Sequence, residues 1–248
     1  MSHVARTVAI RLLAVASAAA VMPAAHAVAL VTTDASAVAM FQAGGSVLGF
    51  DDLPPNGGGG SAGNTGVPIQ PASQLSSQFI SMGVRFSSDG GPVGIVSVKG
   101  LGNQADARSA FNLLGGSNGG GPLPVLDYFR PIVLNFVLAD GSTASTTNRV
   151  GAWNDPTGSL IRLSVFDMNG SLLESAEAAQ GNFIGITHAG IASASFTYVA
   201  TQSQAGFSLD DVSFGPVSGV PVPPAAWMLG AGLLALGLQR HRTRRLPR

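Results

Sequence analysis

Residues 28–219 of this 248-residue chain are predicted to form an all-β fold, an antiparallel β-sandwich. Three observations predict it. Apolar and polar residues alternate with a period of two in the better-patterned stretches, which is the signature of a half-buried strand: Ile161, Leu163 and Val165 against Arg162 and Ser164, then Ala192, Ala194, Phe196 and Tyr198 against Ser193, Ser195 and Thr197. Short apolar runs follow one another at the spacing of antiparallel sandwiches, punctuated by turn residues. Asp167-Met168-Asn169-Gly170 supplies the Asn-Gly pair of a tight hairpin. No internal repeat is visible, so the body reads as one domain.

Taken in order, residues 29–44 open the body as a short helix or a first strand, and 46–53 form the first well-patterned strand. Residues 56–66 contain four consecutive glycines and read as a flexible loop. A helical turn at 73–78 leads into a strand at 84–87, with strands at 94–99 and 109–113 and a glycine-rich excursion at 115–124. Strands at 132–138, 149–153, 160–167, 172–178, 182–187, 191–199 and 207–214 complete the sandwich. In the last of these, Phe207 and Leu209 hold odd positions but Val212 and Phe214 even ones. The inward face changes parity across Asp210-Asp211, which predicts a β-bulge there.

Two targeting segments flank the body. At the N-terminus, Arg6 and Arg11 precede an apolar stretch at 12–21, and Ala25-His26-Ala27 offers the small-x-small site of a secretory signal peptide, cleaved after Ala27 (residues 1–27). Residues 220–248 form a tail with a proline-rich lead (Val220, Pro221, Val222, Pro223, Pro224), an apolar run at 225–238 and a basic end carrying Arg240, Arg242, Arg244, Arg245 and Arg248. Prolines keep the lead extended. The apolar run satisfies its backbone in lipid only as a helix. At about 1.5 Å per residue it spans roughly 21 Å, short of a hydrocarbon core about 30 Å thick. The arginines place its end on the cytoplasmic side and the body outside.

Of the 13 basic residues, two lie in the first segment and five in the tail, whereas all 13 acidic residues belong to the body, giving it a net charge of about −7. That sign argues against nucleic acid, whose phosphates need a basic face. Cysteine is absent, so an exported body must be held by core packing, with or without help from a metal.

The tail resembles the C-terminal sorting tails of PEP-CTERM proteins of Gram-negative bacteria. Pro221-Val222-Pro223 stands where the family's Pro-Glu-Pro would, and is similar to the variant beginning Val-Pro-Leu-Pro. The resemblance implies transient insertion in the inner membrane, removal of the tail by an exosortase-type membrane protease, and delivery to the cell surface or extracellular polymer matrix. A second resemblance lies in residues 78–86 and 206–215, which look like the opening and closing pieces of jelly-roll domains in PEP-CTERM and carbohydrate-binding-module-like proteins. It implies that the first and last strands lie together, near a structural calcium. Asp51, Asp52, Asp210 and Asp211 are the candidate ligands, since calcium takes six to eight hard oxygens. The alternative is that these pairs are solvated charges at strand ends.

Trp153, the body's only tryptophan, precedes Asn154 and Asp155, and with Tyr128 they form the candidate sugar-binding rim. A tryptophan packed between the sheets is the competing and favoured reading. Phe129 is a further partner if it shares that rim. Asp127, Asp155 and Asp167 are the carboxylates available for glycoside hydrolysis, with no separation fixed. Gly115-Gly116-Ser117-Asn118-Gly119 matches a nucleophile elbow only formally, because no helix follows it. Gly58, Gly60 and Gly63 lack a phosphate cradle for the same reason. His188 reads as a turn histidine. The expectation is an exported, non-catalytic protein with a structural or carbohydrate-binding role in a polysaccharide layer. The alternatives are a calcium-stabilised secreted hydrolase and a protein-protein adhesin.

Overall fold

The computed structural model describes residues 27–56, 66–89, 91–97, 112–119, 123–156, 158–199 and 206–219. Ala25, the proline lead from Val220 onward, the apolar tail and the Gly58-Gly60-Gly63 loop lie outside the described residues. Within them the chain builds its regular structure mainly from strands, with one α-helix. It begins with β1 (Val28–Thr32) and α1 (Ala35–Gln42), followed by β2 (Ser46–Leu48), β3 (Gln74–Leu75), β4 (Val84–Ser87), β5 (Val93–Ser97), β6 (Asn112–Gly115), β7 (Ser117–Asn118) and β8 (Val125–Leu126). The second half holds β9 (Ile132–Phe136), β10 (Ser145–Asn154), β11 (Ile161–Phe166), β12 (Leu172–Ala178), β13 (Phe183–Ile191), β14 (Ser193–Tyr198), β15 (Ser208–Phe214) and β16 (Ser218–Gly219).

Two antiparallel sheets share one core. The larger runs β1-β13-β10-β15-β6-β5-β3, with β2 added on β15 and β16 on β10, and the smaller runs β12-β11-β14-β9-β4. Val150, Ala152, Ile184, Ile186, Leu209 and Phe214 of the larger sheet meet Phe86, Leu134, Leu163, Val165 and Phe196 of the smaller in a single buried cluster. Each of the large side chains contributes on the order of 1.5–3 kcal/mol by leaving water. The period-two reading of β11 holds: Ile161, Leu163 and Val165 are buried, while Arg162 turns outward and pairs with its cross-strand neighbour Glu177 at 2.6 Å. Gly170, at φ +77°, closes the hairpin to β12 where the Asn-Gly pair predicts it.

Four local expectations need correction. The strand expected at 46–53 ends at Leu48, and Asp51 and Asp52 lie in the turn beyond it. Residues 29–44 form both a strand and a helix: Asp34 accepts a hydrogen bond from the Ser36 amide and so caps α1. The turn expected at 73–78 falls on either side as two short 3-10 helices, Pro71–Ser73 and Ile80–Met82. His188 lies inside β13 rather than in a turn, because β13 continues beyond Thr187 to pair Ile191 with Thr147.

Beyond the shared core, Ile69, Val96, Leu113, Leu126 and Tyr128 form one smaller apolar cluster, and another lies on the outer face of the larger sheet. Trp153 and Phe183 point away from the shared core and are covered by Val38 of α1, with Leu30 and Phe41 packed alongside. Gly151 and Gly185 stand opposite each other in the β10–β13 register. The missing side chain of Gly185 leaves the hollow that the Phe41 ring enters, since a Cβ there would lie 2.6 Å from that ring, and a Cβ on Gly151 would lie 2.6 Å from the Phe183 ring.

Candidate functional site

One member of each aspartate pair, Asp51 and Asp211, comes close at one end of the larger sheet. β2 pairs with β15 in the register Val212↔Leu48, Ser213↔Val47 and Phe214↔Ser46, which carries Asp51 toward Asp211. The predicted bulge is present. Gly151 pairs with Ser213 and Trp153 with Asp210, so two steps on β10 face three on β15. Asp211 takes up the extra residue with a left-handed backbone, φ +45°.

Asn112, which sequence reasoning missed, anchors the partner turn. Its amide nitrogen donates to Asp51 Oδ1 at 3.0 Å, and its side chain donates to the carbonyls of Phe50 and Leu53. No local signal marks it, because these bonds reach across more than fifty residues of sequence.

A Cβ built on Gly49 would lie 3.9 Å from both Asp51 Oδ2 and Asp211 Oδ1, so the two carboxylates flank one glycine. Burial, then the charges of Asp210 and Asp51, push the Asp211 carboxyl up to about 6. Asp210 is buried at 1% exposure, and its Oδ1 accepts the Asp211 amide at 2.7 Å. Asp52 is exposed in the turn. Facing carboxylates begin a hard-oxygen donor set but fall short of the six to eight oxygens calcium takes. Among the described residues, no three acidic or histidine side chains are grouped to hold a metal.

The candidate sugar rim is not a rim. Trp153 is 6% exposed and lies under α1, its ring 5.6 Å from that of Phe183 in an edge contact. It is packed, as the favoured reading holds, but on the outer face of the larger sheet rather than between the sheets. Asn154, Asp155 and Tyr128 are buried as well. Asn154 donates to the Ser159 carbonyl at 2.8 Å, and Asp155 accepts from the Ser208 hydroxyl at 2.7 Å. Burial and then the charge of Asp155 raise the Tyr128 hydroxyl to about 12. This group joins β10 to the start of β15 from inside and offers no face to a ligand. Phe129 is exposed and makes an edge contact with Tyr198 instead.

The remaining candidates are committed locally. Asp127 binds Arg130, and Asp167 accepts the amides of Asn169 and Ser171. The Ser171 amide, with help from Asn169, holds the Asp167 carboxyl below the usual carboxylate range. Ser117 is buried, and its hydroxyl donates to the Pro92 carbonyl, so the formal nucleophile elbow is structural. The His188 ring nitrogen lies 2.7 Å from the carbonyl of Ala189.

An open site occurs where the sequence reading proposes none. Arg85 of β4 pairs in register with Asn135 of β9, and Asn135 pairs with Ser193 of β14, which sets the three side chains in a row on the outer face of the smaller sheet. A depression of 470 Å³ lies at the β4 end, lined by Gln74, Ser76, Arg85, Ser87 and Asn135. A second, of 300 Å³, continues past Asn135 and Val137 to Ser193, Asp167 and Met168. The two depressions share Asn135 and Val137 and make a trough across the strands, polar at the β4 end and lined also by Phe136, Val137, Ala144 and Met168 toward β14. Among the described residues, neither the Arg85 nor the Asn135 side chain makes a hydrogen bond or ion pair, whereas Arg130 and Arg162 are each held by carboxylates. Strand alternation signals only that these side chains face outward; which of them share a row depends on pairing register.

No protein-family model matches the chain, and no curated protein matches it. Among solved structures it is similar to the K2 cleaved adhesin domain of Lys-gingipain, with a TM-score of 0.34 and 13% identity over 68% of this chain and 98% of that one. It is also similar to the enzymatically active domain of bacteriophage CBA120 tailspike protein 4, with a TM-score of 0.23 and 15% identity over 60% of this chain and 21% of that one. At these scores neither likeness carries an argument about this protein.

Proposed function

We propose that the chain is an exported surface or matrix protein whose sandwich binds extracellular polysaccharide without reacting with it. The observation that carries this reading is the uncommitted polar end of the trough. Arg85 and Asn135 hold donors and an acceptor that no described residue of the fold uses, on a sheet face open enough for an extended polymer. The export half rests on the signal-like residues around Ala25 and Ala27 and on the resemblance of residues 220–248 to PEP-CTERM tails, with an exosortase-type protease as the processing partner. The pairing of β2 with β15 supports a jelly-roll wrap, in which an early and a late strand are neighbours. Calcium enters only as a structural cation: it would relieve the repulsion between Asp51 and Asp211, with Asp52 and Asp210 as the nearest further carboxylates in sequence.

The test is affinity electrophoresis of the protein in gels containing the polysaccharide of its own producing cells, run alongside an assay for new reducing ends. Retardation without release of sugar is expected, and release of sugar would replace the binding reading with the hydrolase. Protein-protein adhesion is a second reading, favoured by the exposed Val28 and Val31 on edge strand β1 and by Met40 on α1. It predicts self-association without glycan that a Val31→Lys substitution abolishes.

A further inference from the structure

We infer that the trough selects an acidic heteropolysaccharide, with Arg85 gripping the carboxylate of a uronic-acid unit and neutral sugar units running toward β14. This rests on the glycan-binding reading above and adds the class of sugar. A guanidinium presents donors in a planar fork that matches a carboxylate, and a fork with no partner in the fold is ready for one from outside. Arg85 is such a group among the described residues, in a body whose net charge is strongly negative.

The row Arg85, Asn135, Ser193 advances about 4.8 Å per strand, so it spans roughly 10 Å across the sheet. Asn135 follows Arg85 directly and offers both a donor and an acceptor to hydroxyls, and Ser193 adds a hydroxyl. The far end carries Asp167, whose carboxyl is held in its charged form by the hairpin amides. A second carboxylate there would meet like charge. The trough therefore has a polarity, anionic sugar at β4 and neutral sugar at the β11–β12 hairpin, which a uniformly acidic polymer does not satisfy.

The experiment is calorimetric titration of the full-length chain with a hexasaccharide of one terminal glucuronate followed by neutral N-acetylglucosamine units, and with the same hexasaccharide after reduction of its carboxyl to an alcohol. The acidic form is expected to bind more tightly, and Arg85→Gln to weaken it by about tenfold while leaving the reduced form within about twofold. Asn135→Ala is expected to weaken both. Equal binding of the two forms by the wild type overturns the carboxylate assignment. Undiminished binding of the acidic form by Arg85→Gln places the site elsewhere and overturns this inference while sparing the glycan-binding reading. Absence of binding to either hexasaccharide overturns this inference; if the native polysaccharide also fails to retard the protein, the wider reading falls with it. Because the Arg85 side chain has no partner among the described residues, an unchanged melting temperature for the glutamine variant separates lost contact from lost structure.

Discussion

Asp211 combines a left-handed backbone, a half-buried carboxyl and two acidic neighbours, and each has a measurable consequence. An acid held at about 6 when folded, against an ordinary value of 3.8, binds its proton more tightly in the folded state. Its effect on stability is therefore absent below about pH 4, grows as pH rises toward 6, and is a full penalty above that. Replacing Asp211 with Asn removes the charge and keeps a side chain that tolerates the left-handed region. It should stabilise the protein by about 1 kcal/mol at pH 7, after allowance for solvent screening, and leave it unchanged at pH 4. Melting curves at the two pH values check this. Millimolar calcium should raise the wild-type midpoint at pH 7, and a chelator should reverse it; an unchanged midpoint removes calcium from the account. Trp153 poses the opposite case. Trp153→Ala should cost about 3–5 kcal/mol by chemical denaturation and leave glycan affinity unaltered, since the ring packs under a helix and touches no open surface.

At the scale of elements, α1 and the glycine pair beneath it form one device. An eight-residue helix has little stability of its own, so α1 persists because it covers Trp153 and Phe183 and because Asp34 caps it. Asp34→Ala should cost about 1 kcal/mol, read as a lower melting temperature. Gly185→Ala should cost about 1–3 kcal/mol, because its Cβ would push into the Phe41 ring. The strand pattern explains why these features are not foreseeable. Alternation places Gly151, Trp153, Phe183 and Gly185 on a common face but does not say whether that face is wet or covered. A tryptophan next to Asn and Asp has the composition of a sugar rim, and only the helix folded over it makes it core. The bulge, in contrast, is legible: a change of parity between Leu209 and Val212 needs an extra residue whatever lies opposite.

For the molecule as a whole, the residues of its own sequence determined the class of fold and the sign of its surface. Period-two patterning, turn residues and an acidic, cysteine-free body are local or additive properties, and they led to an antiparallel sandwich whose long second-half strands, β9 to β15, lie close to their expected positions. The approach of Asp51 to Asp211 follows from the β2–β15 register, which residue patterning alone does not fix. What tertiary structure alone decided is which polar groups are spent. Tyr128, Asn154 and Asp155 are enclosed between strands distant in sequence, whereas Arg85, Asn135 and Ser193 are aligned by the pairing of three strands and left open to solvent. Composition and periodicity report what each residue prefers, but burial and cross-strand register depend on contacts between segments far apart in the chain.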